Sequence, residues 1–234
     1  MDPQRRHHYL QAMGIVRWQR RGRAERPAEP DCPAPRADGA SPVAPDDDIG
    51  VLDWEGLRER VLACTACDLY RTRTQAVFGV GNRNADWMIV GEAPGAEEDR
   101  RGEPFVGRAG QLLDSMLHAI GLDRQQVYIA NVLKCRPPNN RDPRPEEVEQ
   151  CEPYLRRQVA LVRPRLILAV GRVAAQNLLK SNAPLSRLRG RRHSYGEEAT
   201  PLVVTYHPAY LLRSPLEKRK AWQDLQLALE VAGR

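Results

Sequence analysis

Four cysteines have the number and spacing expected of a metal or cluster site. Cys64 and Cys67 form a C-x2-C pair, Cys135 follows a predicted strand, and Cys151 lies in the next predicted helix. Cys32 lies in a proline-rich stretch and is set aside. Structural zinc usually takes two close pairs, whereas a bulkier iron–sulfur cube accepts ligands from scattered loops. The spacing alone leaves three alternatives: an iron–sulfur cluster, a structural zinc, or unligated buried cysteines.

A glycine-rich segment follows the first predicted strand and leads into a helix. It contains Gly91 and Gly95 and continues over residues 102–110. The segment matches neither the dinucleotide-binding nor the P-loop pattern. Its glycines permit a close approach of the backbone to a ligand. Phe105, one of the two phenylalanines of the chain, lies among these glycines and either stacks on a planar base or belongs to the core.

Two further predicted strands end in polar side chains. Asn131 lies at the end of the second strand, where its amide offers a donor and an acceptor that match the edge of a pyrimidine. His207 follows the fourth strand and is held by Pro208, so it could donate to a developing oxyanion. A purely structural histidine is the alternative. Ligands of parallel sheets bind at the carboxyl ends of the strands, where these residues lie.

Positive charge indicates a polyanionic partner. The net charge is +6 and the pI about 9.3. A basic run of Arg187, Arg189, Arg191 and Arg192 suggests a loop that contacts phosphates, with a solvated turn as the alternative.

The elements that must position these residues alternate between strands and helices. Apolar runs predict four strands, at 87–90, 127–133, 166–170 and 202–206. Helical spacing of apolar residues predicts five helices, at 53–64, 109–120, 145–162, 172–179 and 215–231. This alternation predicts an α/β fold, specifically a three-layer α/β/α architecture with a central four-stranded, mainly parallel sheet.

The chain divides into three predicted parts. Residues 1–23 form a short N-terminal peptide, residues 24–48 a disordered proline-rich linker, and residues 49–234 the folded domain. The peptide has an apolar stripe and is either a partner-binding motif or a frayed terminus. The chain has neither a run of 18 apolar residues nor an N-terminal apolar signal region, so we expect a cytoplasmic protein without membrane contact.

Together, these motifs resemble the family 4 uracil-DNA glycosylases, the iron–sulfur members of the uracil-DNA glycosylase superfamily. The matching segments occur in order over about residues 60–230: Gly91 to Gly95, Glu98-Asp99, Gly102 to Gly107, Asn131 to Pro138 and His207 to Arg213. The resemblance implies that Cys64, Cys67, Cys135 and Cys151 ligate a 4Fe–4S cluster. It also implies that the protein flips uracil out of DNA and hydrolyses its N-glycosidic bond, which leaves an abasic site and initiates base excision repair.

The resemblance implies a role for each pocket residue. Phe105 stacks on the flipped uracil, Asn131 reads its edge, and His207 contacts uracil O2 and stabilises the departing anion. Glu98 helps to position the base. Backbone contacts around the base and the attacking water are implied for the loop that contains Gly91, Ala93 and Gly95.

The group that activates water is not obvious from the sequence. Ala93 occupies the position where the best-known branch of the superfamily has an aspartate, two residues after the opening glycine. The neighbouring carboxylate, Glu92, is a catalytic candidate alongside Asn131 and His207. Without a dedicated base we expect a dissociative path, in which the glycosidic bond breaks before water adds.

Base flipping predicts a wedge and contacts to phosphates. Candidates for the wedge are Tyr210, Leu211 and Leu212, with packing of the last helix as the alternative. Candidates for other DNA contacts are Arg189, Arg191, Arg192 and Arg213. We expect a monomer on DNA.

The N-terminal peptide predicts a binding partner, and two other function classes compete with the glycosylase. Residues 1–26 weakly resemble the N-terminal peptide of the bacterial replicase psi subunit, which docks on the chi subunit, so we expect a replisome partner there. The competing classes are a non-catalytic iron–sulfur nucleic-acid-binding protein and a zinc-stabilised nucleotide hydrolase.

Overall fold

A computed structural model describes residues 49–233 of the chain. The predicted N-terminal peptide, the predicted linker and the expected partner-binding segment therefore lie outside the described residues. Within residues 49–233, no helix is long and apolar enough to cross a membrane.

Within residues 49–233, six strands form one mixed sheet. They are β1 (Val80–Gly81), β2 (Trp87–Gly91), β3 (Val127–Asn131), β4 (Leu166–Val170), β5 (Arg192–Tyr195) and β6 (Thr200–Thr205). Their order across the sheet is β1-β3-β2-β4-β6-β5, with β3, β2, β4 and β6 parallel and the two edge strands antiparallel. The parallel centre therefore carries the ends of β2, β3 and β6 to one edge of the sheet.

The number of strands differs from the prediction of a four-stranded sheet. The four predicted strands form the parallel centre, and three of them are buried at every position, which explains their continuous apolar runs. The edge strands have no such run, because β1 has two residues and β5 alternates exposed and half-buried positions. The fold is α/β, as expected, but the sheet is six-stranded and mixed.

In the part of the chain that the structure describes, eight α-helices surround the sheet. They are α1 (Trp54–Leu62), α2 (Ala96–Arg101), α3 (Arg108–Ala119), α4 (Pro145–Val162), α5 (Arg172–Leu178), α6 (Leu185–Leu188), α7 (Pro208–Arg213) and α8 (Lys218–Ala232). The bounds of α4 match the prediction. Pro145 occupies the first turn, and the Glu147 carboxylate accepts a hydrogen bond from the Arg144 backbone N–H at 2.8 Å.

Two hydrophobic cores lie on opposite faces of the sheet. Along β2, Met88 and Val90 belong to one core, and Trp87 and Ile89 to the other, because successive strand residues point to opposite faces. Helices α4 and α5 cover the first face, and α3 and α8 cover the second. This packing fixes the sheet edge on which the polar strand ends converge.

Candidate active site

A cleft of about 440 Å³ lies at the carboxyl edge of the sheet, in the size range of small-molecule sites. β2 leads into it at Glu92, β3 ends in it at Asn131, and β6 leads to His207. The predicted pocket residues that line it are Glu92, Ala93, Gly95, Glu98, Phe105, Asn131 and His207. Residues spread over more than a hundred positions of sequence thus meet in one cavity.

The loop that presents Phe105 is held from two sides. Phe105 has a φ of 54°, a left-handed conformation that is unfavourable for residues other than glycine. Glu98 Oε1 accepts hydrogen bonds from the backbone N–H groups of the two residues after Phe105, Val106 at 3.0 Å and Gly107 at 3.2 Å. On the other side, the Arg124 guanidinium donates to the Pro104 carbonyl oxygen. The Glu98 carboxylate therefore anchors the loop that carries the aromatic ring.

Asn131 lines the back of the cleft, whereas Gly91, also a predicted contact residue, packs behind the side chains of Asn131 and Phe105. Asn131 is buried, and its Oδ1 has no hydrogen-bond partner among the described residues. A Cβ atom at Gly91 would lie 2.4 Å from this oxygen and 2.7 Å from the Phe105 ring, so this close packing requires glycine. An unpaired buried acceptor costs about 1–3 kcal/mol, and a ligand donor removes that cost.

The two loops behind the base site remain joined after their strands end. The Val132 N–H donates to the Gly91 carbonyl oxygen at 2.9 Å, and the Leu133 N–H donates to the Glu92 carbonyl oxygen at 3.0 Å. The loop after β2 and the segment after β3 are therefore held together as one wall.

His207 is held as a neutral imidazole. Burial lowers its pKa to about 4, the nearby Arg213 charge acts in the same direction, and Glu98 opposes both. Nδ1 accepts a hydrogen bond from the Ala209 backbone N–H at 3.1 Å, which leaves the ring proton on Nε2. The ring stacks against Phe105 with centroids 5.6 Å apart. The site therefore contains a fixed, uncharged N–H donor at neutral pH.

Glu92 titrates near neutrality. Burial, with a smaller contribution from the Asp142 carboxylate, raises its pKa to about 7, and the Arg172 charge opposes both. Arg172 and Asp142 form an ion pair with each other. Sequence analysis misses both residues, because Asp142 lies in a proline-rich loop without periodicity and Arg172 is the first residue of a helix.

The loop between Cys135 and α4, whose arginines were expected to contact phosphates, also lines one side of the cleft. Its contributing residues are Pro137, Asn140, Arg141 and Asp142. The Arg141 guanidinium is held by the Glu147 carboxylate, with Nη1 2.8 Å from Oε2. This loop joins the cleft to the region of the cysteines.

The four cysteines line a second, more enclosed cavity, here called the cysteine chamber. Cys64 follows α1, Cys67 precedes a 3₁₀ turn, Cys135 follows β3, and Cys151 lies in α4. Cys135 and Cys151 are buried, and the other two are half-buried. The fold thus gathers in one place thiols that come from three separate segments, with Cys64 and Cys67 on the same connector.

Burial suppresses the ionisation of three thiols that line the chamber. It raises the pKa of Cys151 to about 12 and raises the pKa values of Cys67 and Cys135. Two donors oppose this effect: Arg73 Nη1 lies 3.0 Å from the Cys135 sulfur, and the Lys134 backbone N–H donates to the Cys151 sulfur at 3.5 Å. Donors of this kind stabilise thiolate over thiol.

A sequence model described as the uracil DNA glycosylase superfamily matches residues 78–226, which include the cleft and two of the four cysteines. The chain belongs to the uracil-DNA glycosylase superfamily. The predicted resemblance is therefore confirmed at the level of the family.

Relatives within the superfamily place the chain with its type-4 members. It is 47% identical over 181 residues to the type-4 uracil-DNA glycosylase of Archaeoglobus fulgidus, covering 74% of this chain and 90% of the relative. The type-4 enzyme of Thermotoga maritima is 44% identical over 163 residues, with coverages of 68% and 83%. A type-5 uracil-DNA glycosylase of Pyrobaculum aerophilum is 33% identical over 146 residues, with coverages of 56% and 64%.

Two of the predicted DNA contacts of this uracil-DNA glycosylase superfamily member lie at the mouth of the cleft. Tyr210 and Arg213 line it, and 37% of Tyr210 is exposed. Leu211 is only 1% exposed and packs in the second core, so its predicted contact with DNA does not fit the structure. The packing alternative describes Leu211, and Leu212, at 38% exposure, is the accessible neighbour.

The arginines of the predicted basic loop differ in their surroundings. Arg189 forms an ion pair with the buried Asp224 at 2.7 Å and stacks 4.2 Å over the Tyr206 ring. Its predicted phosphate contact is therefore replaced by a structural role. Arg191 and Arg192 are exposed, although Arg192 belongs to β5 instead of a loop.

Proposed function

We propose that this chain is a uracil-DNA glycosylase that flips uracil out of DNA and hydrolyses its N-glycosidic bond to leave an abasic site. The observation that carries the proposal is the buried, unpaired Oδ1 of Asn131 in the cleft that also holds Phe105 and His207. The relatives named as type-4 uracil-DNA glycosylases support it over the non-catalytic alternative.

Asn131 recognises the edge of the base. Its Oδ1 accepts from uracil N3–H, and its Nδ2 donates to uracil O4. Cytosine has an acceptor at N3 and donors at its exocyclic amine, so both contacts become repulsive. Because the amide is buried, a mismatched base also leaves polar groups unpaired, which penalises it strongly.

His207 stabilises the leaving group. As the glycosidic bond breaks, negative charge develops on uracil O2, and the neutral Nε2–H donates to it. A positioned donor of this kind contributes about 3–4 kcal/mol, because the low pKa keeps the ring neutral and the Ala209 contact fixes the tautomer.

Water adds with little basic assistance. Position 93 is alanine, and Glu92 is the carboxyl group at the cleft whose pKa lies near 7. At neutral pH about half of the molecules carry the Glu92 carboxylate. This supports a path in which the sugar cation forms first and Glu92 helps to orient the water that captures it.

The four cysteines hold a 4Fe–4S cluster, which stabilises the fold and takes no part in bond cleavage. Tetrahedral zinc would bring its four sulfurs within about 4 Å of each other. Four cysteines from three separate segments around one cavity fit a cube, in which each thiolate would bind a different iron.

The surroundings of the enzyme follow from the same proposal. The protein acts on uracil-containing DNA in the cytoplasm as a monomer and initiates base excision repair. Tyr210, Leu212 and Arg213 meet the DNA at the mouth of the cleft, with Arg191 and Arg192 on phosphates. Residues 1–26 bind a component of the replisome, and a pull-down with and without them tests this, because equal recovery of replicase components would exclude it.

A glycosylase assay tests the central proposal. Oligonucleotides with uracil opposite guanine, opposite adenine or unpaired are incubated with iron-loaded protein, and abasic sites are detected by alkaline cleavage. We expect strand breaks at uracil alone, with Asn131→Ala retaining DNA affinity while losing rate. Intact uracil under all three conditions would refute the proposal.

A further inference from the structure

Lys134 is a buried lysine to which the reaction above assigns no role. It lies between β3 and Cys135 and is 1% exposed. Its Nζ donates to the main-chain oxygen of Asn131 at 2.8 Å and to Gln158 Oε1 at 2.6 Å. Neither partner is a carboxylate, so these two hydrogen bonds hold the amine in the interior. Burying an amine costs folding free energy, and the contacts of its Nζ have to compensate for that cost.

Gln158 makes this arrangement rigid. It is fully buried in α4, and its Nε2 donates to the Phe78 carbonyl oxygen at 2.8 Å and to the Tyr128 hydroxyl at 3.1 Å. The side-chain amide is therefore fixed at both ends, with its oxygen directed at Lys134. The position of the Lys134 amine follows from the position of helix α4.

The same residue contacts the cysteine chamber through its backbone. The Lys134 N–H donates to the sulfur of Cys151 at 3.5 Å. Cys151 and Gln158 lie seven residues apart on α4, which places them on one side of the helix, about two turns apart. One helix face therefore holds residue 134 at its backbone and at the end of its side chain.

We propose that Lys134 is a positioning residue for uracil recognition, which fixes the main chain of Asn131 and ties it to the helix that carries Cys151. The inference rests on the proposed function of the cleft. The Asn131 side-chain amide must present its donor and its acceptor to the base in one orientation. Its Oδ1 has no hydrogen-bond partner among the described residues that could set this orientation. The Lys134–Asn131 contact supplies the restraint from behind.

A double-mutant cycle tests whether Lys134 acts through Asn131. The variants are Lys134→Met, which keeps much of the side-chain length and the backbone N–H, Asn131→Ala, and their combination. We expect Lys134→Met to lower kcat about tenfold or more, the loss typical of a hydrogen bond from a charged group, with little change in KM. In the Asn131→Ala background the same substitution should cause no further loss.

Val162→Ala is the matched control for general destabilisation. Val162 is buried in the same core at the far end of α4. We expect its melting temperature to fall while kcat per folded molecule stays at the wild-type value. Iron content is measured for every variant, and Lys134→Met should match wild type because its backbone contact with Cys151 remains.

A binding measurement separates this inference from the proposed function. Affinity is measured for DNA that carries a non-hydrolysable 2′-fluorinated deoxyuridine and for the same DNA with thymidine. Lys134→Met should reduce the preference for deoxyuridine about tenfold. A wild-type protein that binds the analogue but never cleaves uracil would refute the proposed function, and the preference ratio would still decide the role of Lys134.

Three results would overturn the positioning role. They are an additive loss in the Asn131→Ala background, an unchanged preference for deoxyuridine, and a loss of iron that accounts for the loss of rate. If Lys134→Met does not fold, Gln158→Leu enters the same cycle, since it removes the acceptor that directs the amine. Gln158→Leu should lower kcat several-fold in wild type and leave the Asn131→Ala variant unchanged.

Discussion

The cleft and the cysteine chamber are both lined by the segment after β3, and they differ in how complete the protein alone makes them. In the cleft, backbone hydrogen bonds fix Glu98 and His207, and packing fixes Gly91 against its neighbours. In the chamber, burial raises the pKa of the Cys151 thiol to about 12, so a metal or cluster would have to displace that proton. The protein fold organises the first site, whereas the second would need a bound ligand to complete it.

Removing the donor of the cleft should produce the largest effect. His207→Ala should lower kcat by about 10²–10³ with little effect on folding, since the side chain acts on charge that appears only during the reaction. Single-turnover kinetics and thermal unfolding measure the two quantities. If activity fell only in proportion to the amount of folded protein, the His207 side chain would be needed for the fold of the cleft and its role as a donor would be contradicted.

A methyl group at Gly91 should have the next largest effect. Gly91→Ala places a Cβ 2.4 Å from Asn131 Oδ1, so one of the two has to move, and we expect about a 10- to 100-fold loss of kcat. Gly50→Ala is the matched control, because its Cβ meets nothing within 4 Å. Wild-type activity in Gly91→Ala would mean that the back wall of the cleft yields easily.

Removing a ligand of the chamber should act on stability before activity. Cys151→Ser should lose iron and lower the melting temperature, because metal-site binding energy is also folding energy. At temperatures where the variant remains folded, activity should fall less than in His207→Ala. Iron analysis, calorimetry and the glycosylase assay on one preparation test this, and full inactivity of a folded variant would contradict it.

The pH dependence of Glu92 should give the smallest effect. With a pKa of about 7, the carboxylate forms as the pH rises through neutrality, so the rate should increase a few-fold there, and Glu92→Gln should flatten the profile. Stability has the opposite sign. The folded pKa lies above the ordinary 4.5, so the buried carboxyl destabilises the fold as the pH rises from 4.5 to about 7.

Measurements of melting temperature across this range check the second sign. Wild type should lose stability relative to Glu92→Gln as the pH rises, with the difference complete slightly above pH 7. A constant difference would mean that Glu92 is better solvated than its burial indicates.

The sequence predicts the parallel centre of the sheet because buried strands and long helices leave continuous or periodic apolar patterns. Val80–Gly81 and Arg192–Tyr195 leave none, since pairing at a sheet edge places few demands on side chains. Strand polarity brings Asn131 and His207 to one edge of the sheet, whereas Phe105 reaches them through a loop that Glu98 and Arg124 hold. Leu211 and Arg189 fail for a common reason, as nothing local distinguishes an exposed residue from one that a distant helix covers.

Asp142 and Arg172 could not be predicted as site residues from the sequence. Asp142 lies in a loop without periodicity and Arg172 at the start of a helix, and their influence on Glu92 exists only after folding brings the three together. Lys134 gives a partial signal, since a lysine directly after an apolar strand is unusual, but its partner Gln158 is unremarkable in sequence.

The hydrogen bonds that join the loops after β2 and β3 have a consequence for the search along DNA. A wall whose loops are hydrogen-bonded to each other at Gly91 and Glu92 keeps one conformation for every base that approaches it. Undamaged bases should then fail to enter the cleft, so that they are not first bound and later released. The enzyme should consequently spend little time at each normal site, and its dwell times on undamaged DNA should be short and independent of sequence.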